Sequence, residues 1–296
     1  MSPWDEIEAL LTDDLHSAVA HAHALGSRAQ ATPFVSASAA RFLGIGAPRL
    51  AIALVCGATT DAGVRAFHDH DGWVLSGDAG AVPWGDEAAT LLIAARTEPS
   101  LPASPLGLFA VDAETHGVIR TPRTSIGSAA MSNVDLAGVR VSDSSRVDDG
   151  VDVSWPAVVR ALDKAAIVAA AELAGLAQGA LDAAVAYATA REQFGAPIAT
   201  YQALAHRLAD MAIATDAAEL AVEEATGSPT PPNASRAKII ANDAAHRVTA
   251  GLHQINGGVG FYADQTPPAY YARALALRVE MGDSAIHRRQ LAGHLA

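Results

Sequence analysis

The chain has 296 residues, of which 50% are hydrophobic, 18% charged and 5% aromatic. That balance excludes a disordered chain, and no uncharged apolar run reaches the ~18 residues of a membrane-spanning helix. The formal charge of −12 excludes a general nucleic-acid binder, which needs a basic face to displace counterions from phosphates. It leaves room for a few arginines that hold one anionic cofactor.

In chain order, Met1 to Leu11 carries Asp5, Glu6 and Glu8. It lacks the basic start and apolar stretch of a signal peptide, so a cytoplasmic protein is expected. Residues 1–45 read as one or two helices: acidic groups suit a helix start, and Ile7, Leu10, Leu11 and Leu15 recur at helical spacing. Residues 46–147 read as strands. Leu50–Val55, Gly72–Gly77, Thr90–Arg96, Leu106–Val111 and Asn133–Val141 are strand-like runs with Gly, Pro and Asp between them. His68 to Asp71 reads as a solvated turn rather than a metal cluster. Cys56, the single cysteine, allows no internal disulfide and reads as a small buried residue.

Residues 148–156 form a linker, and four long alanine-rich helical patterns follow. They run from about 157 to 191, from about 200 to the breaker Gly227–Pro232, from a cap at Asn233 or Ser235 to Gly257-Gly258, and from Pro267-Pro268 to the C-terminus with an interruption at Gly282. The expected fold class is α+β. It comprises a truncated N-terminal helical segment (1–45), a middle β-barrel or sandwich (46–147), the linker and a C-terminal antiparallel four-helix bundle (157–296).

Two segments carry chemistry. Arg191-Glu-Gln-Phe-Gly-Ala-Pro-Ile-Ala-Thr-Tyr-Gln202 sits between two helices and presents an arginine, an aromatic ring and glutamines together. Its plain reading is a helical hairpin with Phe194 in the core. Gln254-Ile-Asn-Gly-Gly-Val-Gly-Phe261 lies at a helix end. There, bare glycines let a ligand approach, and free N–H groups suit phosphate oxygens. Its plain reading is a C-cap.

Together, these segments and their spacing resemble the acyl-CoA dehydrogenase family, with its Arg-x-x-Phe-Gly turn and Gln-x-x-Gly-Gly-x-Gly segment. The resemblance continues through Glu172–Leu181 and Leu208–Met211. It is looser in Gly72-Trp-Val-Leu-Ser-Gly-Asp78. It implies an FAD held between two subunits. Arg191 would pair with the pyrophosphate, Gln193 would contact the cofactor and Phe194 would pack on it. Tyr201 and Gln202 would line the adenine end, and Gln254, Gly257 and Gly258 would approach the pyrophosphate.

The resemblance also marks departures. The family's loop beside flavin and substrate is replaced by Val55–Gly63. Its Trp-Ile-Thr segment corresponds to Ala81–Gly85, which keeps Trp84 but no threonine. The catalytic Glu-Gly-Thr position reads Met281-Gly282-Asp283, so the base position is Met281, which takes no proton. Glu280 is adjacent but turned by about 100° if the segment is helical. Asp283 would bring a negative charge towards an anionic cofactor. An alternative base position on the first bundle helix is Ala165. Residues 1–45 also provide less helical cover than the family's N-terminal domain.

The resemblance therefore implies a short, base-lacking subunit, similar to those of actinobacterial heteromeric steroid-degrading acyl-CoA dehydrogenases. It would work in an α2β2 complex with a full-length paralogue, on a CoA thioester, with electron-transferring flavoprotein as acceptor. A carboxylate of the other chain would take the α-proton while hydride passes to FAD. Two other readings stand beside it: a homo-oligomeric dehydrogenase with Glu280 as base, and a non-catalytic assembly subunit.

Overall fold

The computed structural model describes residues 3–45, 50–53, 63–97, 106–127, 130–148, 155–262 and 265–295. Cys56 and most of Val55–Gly63 lie outside these residues, as does most of the expected linker. The chain forms two compact units. One comprises Met1–Asp13, Thr32–Ser125 and Ala129–Ala165, and the other Asp14–Ala31, Ile126–Ser128 and Ala166–Ala296.

Three helices open the chain: α1 (Pro3–Ile7), α2 (Leu15–Gly26) and α3 (Phe34–Phe42). The helical spacing of Ile7, Leu10, Leu11 and Leu15 does not produce one element. The chain turns extended at Leu11, and Asp14 starts a new helix by accepting from Ser17 N at 2.9 Å. A capping side chain that meets an otherwise orphaned amide outweighs continued apolar spacing.

The strands of the first unit are β1 (Leu50–Ala53), β2 (Val64–Asp69), β3 (Gly72–Pro83), β4 (Thr90–Arg96), β5 (Leu106–Asp112), β6 (Val118–Pro122) and β7 (Met131–Val141). They join in one seven-stranded sheet of order β1-β4-β2-β3-β7-β6, with β5 also paired to β4. β4 is parallel to β1 and antiparallel to β5. It is buried at Leu91, Leu92 and Ile93, as a strand covered on both faces must be. β2 and β6 are additions to the sequence reading. β2 takes in His68 and Asp69, leaving a two-residue turn at His70-Asp71 in which Asp69 Oδ1 accepts from Asp71 N at 2.9 Å. β2 alternates buried Val64 and Ala66 with exposed Arg65 and Phe67, too short a pattern to stand out from the polar residues around it.

The second unit holds α2, most of α4 (Trp155–Ala190), the two-residue strands β8 (Glu192–Gln193) and β9 (Ala196–Pro197), α5 (Gln202–Gly227), α6 (Pro231–Asn256), α7 (Thr266–Leu277) and α8 (Ser284–Leu295). Connections this short, Ser228–Thr230 between α5 and α6, make the joined helices antiparallel neighbours. The cap of α6 lies three residues before Asn233 and five before Ser235, the two expected caps. Thr230 caps it by accepting from Asn233 N at 3.4 Å, and Pro231 occupies the first turn, where its missing N–H costs nothing. α2 crosses α4 backbone to backbone. A Cβ on Gly175 would lie 2.1 Å from His23 O, and one on Gly26 would lie 2.0 Å from Glu172 O. Among the described residues no helix is long and apolar enough to cross a membrane.

Candidate functional site

The helix that leads into the first motif ends at Ala190, and the chain then folds back through a two-residue hairpin. Glu192 pairs with Pro197 and Gln193 with Ala196, while Phe194 (φ +55°) and Gly195 (φ +85°) form the tip. Positive φ at both central residues is the primed turn that matches strand twist. Glycine takes it freely; a bulky residue such as phenylalanine takes it only under strain. Tyr201 braces the hairpin, its hydroxyl donating to Gln193 O at 2.9 Å, and its ring meets Phe194 edge-on at 6.3 Å. Phe194 is 96% exposed. The plain reading of Phe194 as a core residue is thus overturned: the turn that forms the motif points its ring away from the helices.

α6 ends at Asn256, where Gly257 adopts φ +62° and ψ −142°, a conformation reserved for glycine. Gly258 differs. It has no left-handed backbone, and a Cβ there would meet nothing within 4 Å, so nothing in this chain requires a glycine at that position. Its missing side chain leaves the backbone open from outside.

One apolar cluster carries both segments. Leu252 and Ile255 near the end of α6 pack with Ala184, Ala188 and Met211, and Ile198, Leu204 and Leu208 beyond the hairpin pack against the same group. The hairpin and the α6 terminus are therefore fixed to a common core. Arg191, Gln193, Gln202 and Gln254 are exposed alongside Phe194, Tyr201, Gly257 and Gly258. Arg191 has no ion-pair partner among the described residues. A free guanidinium, amide side chains, an outward ring and bare backbone together suit an anionic ligand with an aromatic system.

The segment expected to carry the base folds differently from the helix assumed for it. α7 stops at Leu277, and residues 278–283 form a turn with Met281 at φ +56° and Gly282 at φ +101°. Glu280 is half-buried in this turn, so the 100° argument does not apply to it. Its charge bears on both Glu172 and Lys238. Asp283 caps α8 by accepting from Ile286 N at 2.8 Å. Backbone donors hold its carboxyl below the usual range, which makes it a poor base. Ala165 is fully buried.

Sequence reasoning missed a buried ionic layer in the second unit. Glu172 of α4 and Arg273 of α7 form an ion pair at 0% and 1% side-chain exposure, with Arg273 Nε donating to Glu172 Oε1 at 2.9 Å. Burial pushes Glu172 up to about 7, against the Arg273 guanidinium. Lys238 of α6 is buried as well. The available signal was a lone charged residue within an alanine-rich helical run, which is costly unless partnered. In the first unit, Trp84 is buried, with φ +61°, so its ring belongs to the core rather than to an open surface. His68 Nε2 lies 2.8 Å from Asp143 Oδ1, and Arg140 pairs with Asp69 at 2.9 Å.

Residues 155–296 match the sequence profile of the acyl-CoA dehydrogenase C-terminal domain. Over these residues the chain is similar to the C-terminal domain of the acyl-CoA dehydrogenases. The mitochondrial short-chain specific acyl-CoA dehydrogenase of Bos taurus is 32% identical over 247 residues, which are 80% of this chain and 60% of that enzyme. The chain thus spans about three-fifths of that relative's length. The ChsE4-ChsE5 complex from Mycobacterium tuberculosis matches with a TM-score of 0.84 at 24% identity, over 99% of this chain and 87% of that chain. A Tcur3481-Tcur3483 steroid ACAD variant matches with a TM-score of 0.79 at 27% identity, over 94% and 80% of the two chains. The α+β architecture is the acyl-CoA dehydrogenase fold, and the family consists of FAD-dependent flavoproteins.

Proposed function

We propose that this chain is one subunit of a heteromeric, FAD-dependent acyl-CoA dehydrogenase. It supplies the partner side of the FAD site, and a full-length paralogue supplies the base. The Phe194 hairpin carries this reading. A strained aromatic residue, 96% exposed, stands beside a free arginine and faces away from the chain's own core. Such an arrangement suits a ligand held against another subunit. The relatives support it: the ChsE4-ChsE5 structure is of a complex, and the Tcur3481-Tcur3483 protein is a steroid ACAD.

When bound, FAD supplies the hydride acceptor for α,β-dehydrogenation of a CoA thioester. The residues of this chain bind and orient it. Arg191 meets the pyrophosphate, where a planar fork suits phosphate geometry. Gln193 contacts the cofactor, Phe194 packs on it, and Tyr201 and Gln202 line its adenine end. Gln254 and the backbone of Gly257 and Gly258 complete the phosphate contacts. Met281 cannot take the α-proton, Asp283 is committed to its cap, and Glu280 is half-buried with its charge acting on Lys238; in this reading the proton passes to a carboxylate of the partner. The substrate in this reading is a steroid-derived CoA thioester, and the acceptor is electron-transferring flavoprotein.

Co-expression with a full-length acyl-CoA dehydrogenase tests the proposal. The expected result is a yellow complex that oxidises acyl-CoA, while the chain alone carries little flavin. A lone chain that binds one FAD per subunit and oxidises acyl-CoA overturns it.

A further inference from the structure

The turn between α7 and α8 is held from two helices. Lys238 of α6, 0% exposed, donates from Nζ to Leu277 O and Gly282 O, each at 3.1 Å, and to Asn242 Oδ1 at 2.8 Å. Asn242 in turn donates to Ser284 Oγ at 3.2 Å. His287 of α8, 3% exposed, places Nε2 2.9 Å from Met281 O and Nδ1 3.2 Å from Ser235 Oγ. A carbonyl only accepts, so Nε2 carries the proton. Nδ1 faces the Ser235 hydroxyl, which also donates to Gln290 Oε1 at 3.3 Å. It also packs directly on Gly282, where a Cβ would lie 2.9 Å from Nε2.

We propose that this turn is an acid-opened latch: Lys238 and His287 hold it shut, and a proton on His287 releases it. The direct acceptors of Lys238 are carbonyls and an amide, all uncharged. A second cation at His287 would stand across Gly282 from the Lys238 ammonium in a site closed to water. The other charged groups acting there come from the turn itself. Arg278 opposes the charge on Lys238, Glu280 and Asp283 favour it, and Asp283 also favours a charged His287. From α6 the neutral Ser235 and Asn242 face the pair, and from α8 the neutral Gln290.

Burial, helped by Lys238, holds His287 below its ordinary 6.5, and burial pulls Lys238 down to about 7 from 10.5. Both are bases with lowered values, so the latched turn binds fewer protons than the open one. Its stability is full at high pH. It declines as pH falls from 10.5 to about 7 through Lys238 and then below 6.5 through His287.

Hydrogen exchange of the full chain tests the latch, read at about pH 8 and about pH 5.5, on either side of an ordinary histidine, and corrected for intrinsic rates. The amides of Gly282, Ile286 and His287, bonded within the turn and its cap, should lose protection at the lower pH, while those of α4 hold. His287→Gln keeps a donor for Met281 O and should reduce the response to the part that Lys238 contributes above about pH 7. Equal protection at both pH values, or a full response in His287→Gln, overturns the latch. Lys238→Met should leave the turn open at both pH values, and a turn as protected as the native one also overturns it. If that variant fails to fold, the His287→Gln comparison still decides.

Discussion

Phe194 combines a left-handed backbone with near-complete exposure, and neither feature stabilises this chain. Strain of this kind persists where the surroundings fix it and clusters at ligand sites. Phe194→Ala removes an exposed ring and should change stability by no more than about 0.5 kcal/mol in a urea titration. Flavin content of the assembled complex should fall at the same time. Full flavin retention would take Phe194 out of the FAD site. Glu280 invites the opposite expectation. It lies beside Met281 in a turn rather than on a helix, so Glu280→Gln should leave turnover of the complex unchanged. Abolished turnover with flavin retained would move the base into this chain.

The glycines of α4 and of the α6 terminus show how one residue type serves two elements differently. On α4, Gly175 allows α2 to cross with backbone contact, and a methyl group there would stand 2.1 Å from His23 O. Gly175→Ala should therefore cost about 1–3 kcal/mol, the range for overpacking, read from the urea midpoint. At Gly258 a methyl group meets nothing within 4 Å, so Gly258→Ala should leave stability unchanged and weaken flavin binding in the complex. A matching stability loss in both variants would make Gly258 a structural residue. The breaks around α5 and α6 were legible, because Gly227, Pro231 and Gly257 stop or start helices whatever surrounds them. The split of residues 1–45 into three helices and the strands β2 and β6 were not. They depend on a cap at Asp14 and on ladder partners far along the chain.

For the whole molecule, the Glu172–Arg273 pair makes stability pH-dependent. Glu172 is raised from 4.5 to about 7 in the folded chain, so the folded state binds more protons than the unfolded state between those values. Its contribution is fully present below 4.5 and is lost as pH rises through about 7. Urea midpoints measured across that window should fall with pH, and Glu172→Gln should flatten the slope. An unchanged slope in that variant would assign the effect elsewhere. This trend runs opposite to the acid opening of the α7–α8 turn, and the Glu172→Gln comparison isolates the part that Glu172 contributes.

Sequence by itself determined the resemblance to acyl-CoA dehydrogenases, the order of strands before the bundle helices and the two segments around Arg191 and Gly257. Each of these rests on local chemistry: turn-forming glycines and prolines, caps, and apolar spacing within one element. Tertiary structure decided which way those segments face. Only the packed core shows that Phe194 points outward and Trp84 inward. Tertiary structure alone also brought Glu172 to Arg273, and Lys238 and His287 to one turn. Partners that lie 101 and 44 residues apart leave no local pattern; their energy comes from being excluded from water together.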